Sequence, residues 1–180
     1  MVPKKIFLTK GVGAHKHKLR SFEQALRMAG IQACNLVQVS SIFPPKCKLI
    51  TRKVGLTCLK AGAIQHVVMA RNETNEANRM IAASVGLSKP IKNNAYGYLS
   101  EYHSFGENAK IAGDYAEDLA ASMLAETLGL TGFDADIAWD SRKELYKTTK
   151  GFFTSRNVTQ TARGITGKWI TVIAAAVLVI

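Results

Sequence analysis

Apolar positions along the chain recur with two periods, and the two alternate. Lys5-Ile6-Phe7-Leu8-Thr9 reads as a short strand, and Gly11-Val12-Gly13 then opens a basic loop. Ser21 and Gln24 match a capping box, and Phe22, Ala25, Leu26 and Ala29 follow at helical spacing up to Gly30, which predicts a helix over 22–29. Residues 35–43 read as one buried strand, stopped by Pro44 and Pro45, which cannot donate to a sheet ladder. Further strands are expected at 48–52 and 63–71. Asn72, Thr74 and Asn75 supply caps for a helix carrying Ala77, Met80, Ile81 and Val85, with Gly86 as its stop. Residues 95–103 form an aromatic-rich strand. A long helix is predicted over 108–128, with Ile111, Ala112, Tyr115, Leu119 and Met123 on one face, interrupted by Ser122 and Glu126, and Gly129 as its stop. The polar stretch 131–150 is a connecting region with one turn of helix, and strands near 151–159 and 168–180 finish the chain. Strands and helices alternate without full βαβ regularity, so helices should layer on sheet in one domain.

Composition narrows the classes. Lys and Arg total 24 against 13 Asp and Glu, a formal charge of +11, which raises nucleic acid, anionic membrane or an acidic partner as possibilities. The basic runs carry few interleaved aromatics, so a solvated surface is the favoured reading. The apolar tail Trp169–Ile180 has 12 residues, short of the ~20 a membrane-spanning helix needs, and its β-branched content marks a buried strand. Cys34, Cys47 and Cys58 form no C-x-x-C pair, which argues against a zinc knuckle or a disulfide framework and fits a reducing cytoplasm. The start, Met-Val-Pro-Lys-Lys, lacks the apolar run of a signal peptide. Asp134, Asp136 and Asp140 lack the spacing of a calcium loop. His15, His17, His66 and His103 have no metal-ligand set, and no metal is expected.

Two adjacent serines, Ser40 and Ser41, stand just before the proline stop. Serines beside prolines ordinarily satisfy backbone groups at a turn. A Ser-Ser bond held at a bend has a second option. The Ser41 hydroxyl can attack the Ser40 carbonyl and replace the amide by an ester, provided that the peptide is strained and the oxyanion stabilised. Elimination then frees Ser40 as a carboxyl terminus and converts residue 41 through dehydroalanine to a pyruvoyl group. Two chains would result, 1–40 and 41–180. A pyruvoyl ketone forms a Schiff base with an amine and acts as an electron sink.

The run GIQACNLVQVSSIFPP, with the preceding SFEQALRMA and the later NAYGYLSEYHSFGENAKIAGDYAEDLAASMLAETLG, resembles the pyruvoyl-dependent arginine decarboxylases. The resemblance extends from about Ile6 to the apolar C-terminal strand, and N-L-x-x-[VI]-S-S-I-x-P-P is its most specific element. It implies a four-layer αββα sandwich of the pyruvoyl-dependent histidine/arginine decarboxylase type, an α+β fold. It implies that Ser41 becomes the pyruvoyl cofactor, with Ser40 left at the end of the short chain. Asn35 takes the place of the family's cleavage and active-site asparagine, and Glu101, before Tyr102, that of its catalytic glutamate. The activity implied is conversion of L-arginine to agmatine and CO2, feeding polyamine synthesis or acid resistance, in a trimer or dimer of trimers with the site between subunits. On that basis Glu101 is expected to face a neighbouring subunit's pyruvoyl group. Glu23 stands where an acidic residue would bind the substrate guanidinium, with Leu26 lining the aliphatic part of the pocket. The family pattern has Asp there, and the longer Glu shortens the pocket.

The chemistry of these residues agrees. The carbanion left by decarboxylation needs a proton donor, and a buried Glu101 would have its pKa raised toward a useful range. Asn35 offers an amide donor, and a carboxylate pairs best with a guanidinium in a bidentate fork. Two alternatives stay open: the same chemistry on ornithine, lysine or histidine, and a basic nucleic-acid-binding α/β protein whose Ser-Ser turn is inert.

Overall fold

The computed structural model describes residues 1–91, 95–140, 145–149 and 151–180. Its elements in chain order are β1 (Lys5–His15), α1 (Lys18–Ala29), β2 (Asn35–Gln38), β3 (Ile42–Phe43), β4 (Lys48–Leu49), α2 (Arg52–Thr57), β5 (Ile64–Thr74) and β6 (Met80–Pro90). After these come β7 (Gly97–Phe105), α3 (Ala109–Thr127), α4 (Ala135–Ala138), β8 (Trp139–Asp140), β9 (Leu145–Thr148), β10 (Gly151–Arg163) and β11 (Trp169–Val179). The strands make two sheets, one in the order β2-β5-β11-β1-β4 and one in the order β3-β7-β6-β10-β9-β8.

The two sheets pack face to face, with α1 outside the first and α3 outside the second. This is the expected four-layer αββα arrangement. Its centre follows from the sequence of β11. Ile170, Val172, Ala174, Ala176 and Leu178 point into the core between the sheets, where they meet Ile81, Val85, Leu87 and Leu99 of the second sheet. The alternate residues Ile173, Ala175 and Val177 pack under α1 with Phe7, Ala25 and Ala29. A strand buried on both faces has no polar side to show, which is why the C-terminal run is apolar throughout.

Both helices sit close to their sheets, and the strands carry glycine where they do. A methyl at Gly11 or Gly13 of β1 would run into the Ala25 or Ser21 carbonyl of α1, and one at Gly86 of β6 into the Ala116 carbonyl of α3. The Gly11-Val12-Gly13 stretch is therefore strand, not the opening of a loop: β1 pairs with β11 without a break from Lys5↔Val179 to His15↔Trp169. The glycines serve the approach of α1.

Other expectations are corrected by packing. Helix α1 starts at Lys18, with His17 and not Ser21 at the N-cap position and no side-chain capping bond. Ser21 is buried, and its hydroxyl contacts the Lys18 carbonyl and Thr171 Oγ1 at 2.7 Å each, while Gln24 Oε1 accepts from the Ala14 N–H, so no capping box forms. The segment read as a helix through Ala77–Val85 is β6. Ile81, Ala83, Val85 and Leu87 alternate into the inter-sheet core, and the intervening Ala82, Ser84, Gly86 and Ser88 are small because α3 lies on them. Asn72 and Thr74 belong to β5, and the reversal uses Asn78 at φ 62°.

On α3 the buried face is Ala112, Gly113, Ala116, Ala120, Ala121, Leu124 and Ala125, whereas Ile111 and Tyr115 are exposed. Small residues, not the largest apolar ones, mark the contact. The expected strand at 48–52 is only β4, followed by α2, whose first turn Thr51 caps. The connecting region holds the expected helical turn, α4, capped by Asp134, and the short strands β8 and β9. Part of that region, 141–144 and 150, lies outside the described residues.

Among the described residues no helix is long and apolar enough to cross a membrane, and no group of His, Cys, Asp and Glu is placed to hold a metal. All three cysteines are free.

Two outcomes follow. Gly86→Ala forces β6 and α3 apart and lowers stability by about 1–3 kcal/mol, read as an earlier midpoint in urea. Burial pushes the Cys47 thiol up to about 11, against smaller lowering effects of Lys89 and the Lys48 N–H. A thiol reagent at pH 8 therefore labels Cys34 and Cys58 in the native protein and reaches Cys47 only after unfolding.

Candidate active site

The stretch expected to be one strand over 35–43 is two, and they lie in different sheets. β2 pairs in parallel with β5 from Asn35↔Ile64 to Gln38↔Val67, in the first sheet. β3 pairs antiparallel with β7 through Ile42↔Tyr98 and Phe43↔Gly97, in the second. The Val39 N–H still donates to the Val67 carbonyl at 3.0 Å, and the Ser41 carbonyl already accepts from the Leu99 N–H at 2.8 Å. The chain thus steps from one sheet to the other across the Ser40–Ser41 peptide. The bend is tight. The Ile42 N–H donates to the Ser40 carbonyl at 2.9 Å, closing a three-residue γ-turn centred on Ser41. Pro44 and Pro45 then end β3 after two residues.

The bend is surface-accessible in the single chain. Ser40 and most of β2 are exposed, which corrects the expectation of a buried strand: β2 is an edge strand, while Phe43 and Pro44 just beyond the bend are buried. Glu101 lies on β7 two residues past Leu99, on the same face, where the inter-sheet core runs out. Its Oε2 accepts the Ser41 hydroxyl at 2.9 Å. Two residues 60 positions apart in sequence meet because β3 and β7 are neighbours. Glu101 is exposed in the single chain, where a buried carboxyl was expected, and it reaches residue 41 of its own chain. Tyr102 points to the other face, its ring against Tyr115 and its hydroxyl donating to Glu107 Oε1 at 3.2 Å.

The remaining predicted residues stand apart from this pair. Asn35 is at the far end of β2, where its side-chain amide donates to the Gly62 carbonyl at 3.0 Å and its backbone N–H to the Ala63 carbonyl at 2.8 Å. Glu23 lies on α1, which covers β1 and β11, whereas β2 is separated from β11 by β5. Because α1 begins at Lys18, Glu23 is not in its first turn, where a helix over 22–29 would have placed it. It pairs instead with Arg27 one turn on, at 2.6 Å. Leu26 is half-buried and packs toward the core under α1.

Two contributors escaped sequence reasoning, the backbone N–H groups of Ile42 and Leu99. Neither has a side-chain signature, and only the β3–β7 register places them. Ser41, Glu101 and these two N–H groups bring a nucleophile, a proton acceptor and hydrogen-bond donors around one peptide bond.

Known proteins resemble this chain over nearly its whole length. The family model for pyruvoyl-dependent arginine decarboxylase matches residues 5–180. A protein of Methanosarcina acetivorans named "Pyruvoyl-dependent arginine decarboxylase 2" is 56% identical over 180 residues, covering 99% of this chain and 98% of the relative. One of Chlorobaculum tepidum, named "Probable pyruvoyl-dependent arginine decarboxylase", is 57% identical over 177 residues, covering 98% and 97%. With its serine pair set at the step between two sheets and a match that runs nearly end to end, the chain belongs to the pyruvoyl-dependent arginine decarboxylase family.

Proposed function

We propose that this chain is a self-processing decarboxylase that converts L-arginine to agmatine and CO2, with a pyruvoyl group made from its own Ser41. The observation that carries the reading is the 2.9 Å contact between the Ser41 hydroxyl and Glu101 at the peptide where the chain changes sheets. A carboxylate beside the hydroxyl accepts its proton as the oxygen attacks. The residues also fit the group once formed: residue 41 lies at an accessible edge, its carbonyl fixed by the Leu99 N–H and a carboxylate beside its Cβ substituent. When present, the pyruvoyl ketone supplies a carbonyl that condenses with the substrate amine and withdraws electrons as CO2 leaves.

The chain's own residues do the rest. Glu101 stands next to residue 41, placed to pass a proton to substrate. Asn35 supplies an amide donor to cleavage or to the substrate carboxylate, an assignment taken from its place in the family motif. Glu23 receives the substrate guanidinium, and its present pairing with the Arg27 guanidinium illustrates that chemistry. Since α1 lies across the sheet from Ser41, Glu23 and Leu26 reach the site from a neighbouring subunit of a trimer or dimer of trimers. Processing yields a short chain, 1–40, and a large one, 41–180, and the protein works in the cytoplasm. Ornithine and lysine carry an ammonium, and histidine an imidazole that is mostly neutral at pH 7, and each meets a carboxylate less well than a planar guanidinium does.

Intact mass of the purified protein is expected to show two chains, the larger blocked at its N-terminus, with borohydride plus arginine trapping substrate on it. A single unbroken chain with no trappable carbonyl would sink the proposal. Ser41→Ala gives one intact chain and no CO2 release. Glu23→Gln leaves cleavage intact and raises KM for arginine on the order of 10–100-fold, as expected for loss of a charge-assisted pair; amine release from the four amino acids ranks the substrates.

A further inference from the structure

The Ser40 carbonyl oxygen is where negative charge gathers when the Ser41 hydroxyl adds to the Ser40 carbonyl carbon. The Ile42 N–H stands 2.9 Å from that oxygen, within the ~2.7–3.1 Å that an oxyanion donor requires. We propose that this backbone N–H is the oxyanion donor of self-cleavage, a role that rests on the maturation reading above.

Three contacts converge on residue 41 and its neighbours. Glu101 Oε2 holds the hydroxyl at 2.9 Å, the Leu99 N–H holds the Ser41 carbonyl at 2.8 Å, and the Ile42 N–H holds the Ser40 carbonyl. The Leu99 bond keeps residue 41 from turning away, and the γ-turn points the Ile42 N–H back at its own chain, toward Ser40. Ordinary sheet pairing would have sent that N–H elsewhere. The turn also separates two ways of activating the bond. Among the described residues the non-glycine positive φ values belong to Lys46 and Asn78, so neither serine is in the left-handed region. What the geometry supplies is polarisation of the Ser40 carbonyl by the Ile42 N–H.

The step balances as follows. The Ser41 hydroxyl proton passes to Glu101 as the Oγ–C bond to Ser40 forms, and the carbonyl π electrons move onto the oxygen held by Ile42 N–H. Collapse reforms the carbonyl and breaks the C–N bond, and the amine takes a proton, leaving an ester. Loss of the Ser41 Cα proton and of the Cβ–O bond releases the Ser40 carboxylate and leaves dehydroalanine. Its imine tautomer takes up water and expels ammonia, which gives the ketone. No oxidant or reductant is required.

The native Cys47 permits a direct test. A synthetic thioester of residues 1–46 is ligated to a recombinant 47–180 fragment, once with all amides and once with Ile42 replaced by its α-hydroxy acid, which deletes the N–H. After refolding, cleavage at 40–41 is followed by intact mass, with circular dichroism and chromatography confirming equal folding. The ester chain is expected to cleave about 10²–10³-fold more slowly than the all-amide chain. A control with the ester moved to Phe43 weakens β3 without touching the turn, and it should stay within about threefold of the all-amide chain, far from the loss of an oxyanion donor. Equal rates for the Ile42 ester and the all-amide chain, or equal slowing by both esters, overturn the assignment while leaving self-cleavage in place. An all-amide chain that folds and never cleaves overturns the maturation reading and this one together. Ile42→Pro, which also lacks the N–H, should accumulate as a folded, unbroken chain; normal cleavage in that variant contradicts the proposal, and if it misfolds the ester chain decides.

Discussion

The chain changes sheets across a single peptide bond, and the local chemistry of this protein depends on how that step is pinned. On one side Val39 is still bonded to β5, and on the other Ser41 is already bonded to β7. Two residues reach at most about 7 Å, so the passage from Val39 to Ser41 has no slack to relax into a wide loop. The γ-turn at Ser41 takes up the change of direction. It also aligns the serine hydroxyl, the preceding carbonyl and a backbone donor, none of which an ordinary hairpin would bring together. The two prolines after Phe43 hold the exit as firmly as the sheets hold the entrance.

Rigidity of the sheets is secured by thin helix–sheet interfaces. Gly11, Gly13 and Gly86 on the strands meet Ser21, Ala25 and Ala116 on the helices, so the helices approach at backbone distance. Two buried hydroxyls bond across these interfaces, Ser100 to the Ala116 carbonyl of α3 and Thr9 to the Ala29 carbonyl of α1 at 2.6 Å, while Ser84 and Thr159 share a 2.7 Å hydrogen bond between neighbouring strands of the second sheet. Close packing leaves little room for helix or strand to shift. Glu101, on a strand fixed this way, is set against Ser41 without a loop to hold it.

These same interfaces explain where the sequence was legible and where it was not. The β11 run, the Gly30 stop of α1 and the Asn108 start of α3 each have one local cause, and each was read correctly. The β6 segment reads as a helix because Asn72, Thr74 and Asn75 look like caps and Ala77, Met80, Ile81 and Val85 fall at helical spacing, whereas the small residues that alternate with its core face, Ala82, Ser84 and Gly86, answer to α3 some 30 residues away. Ser21 looked like a cap and is a buried hydrogen-bonding group under α1. At the site, Ser40, Ser41 and Glu101 were legible through their motif. Their meeting within one chain was not, because it depends on the β3–β7 register. The Ile42 and Leu99 N–H groups leave no trace in side-chain identity at all.

The distribution of site residues over the fold separates making the prosthetic group from using it. Everything that cleavage asks of the protein near the bond, a nucleophile, a proton acceptor and a polarised carbonyl, is within hydrogen-bond reach inside one chain. The residue proposed to recognise arginine is placed differently, since Glu23 sits on a helix over β1 and β11 while Ser41 lies at the step from β2 to β3. An exposed edge strand such as β2, with Val37 and Ile42 accessible beside the serines, is also a surface that a partner would be expected to cover. Covering it would dry the site, strengthen the Glu101 contact and supply the guanidinium's carboxylate in one event. On the proposed reading, cleavage draws on contacts made inside one chain, whereas arginine binding draws on a carboxylate brought by a second.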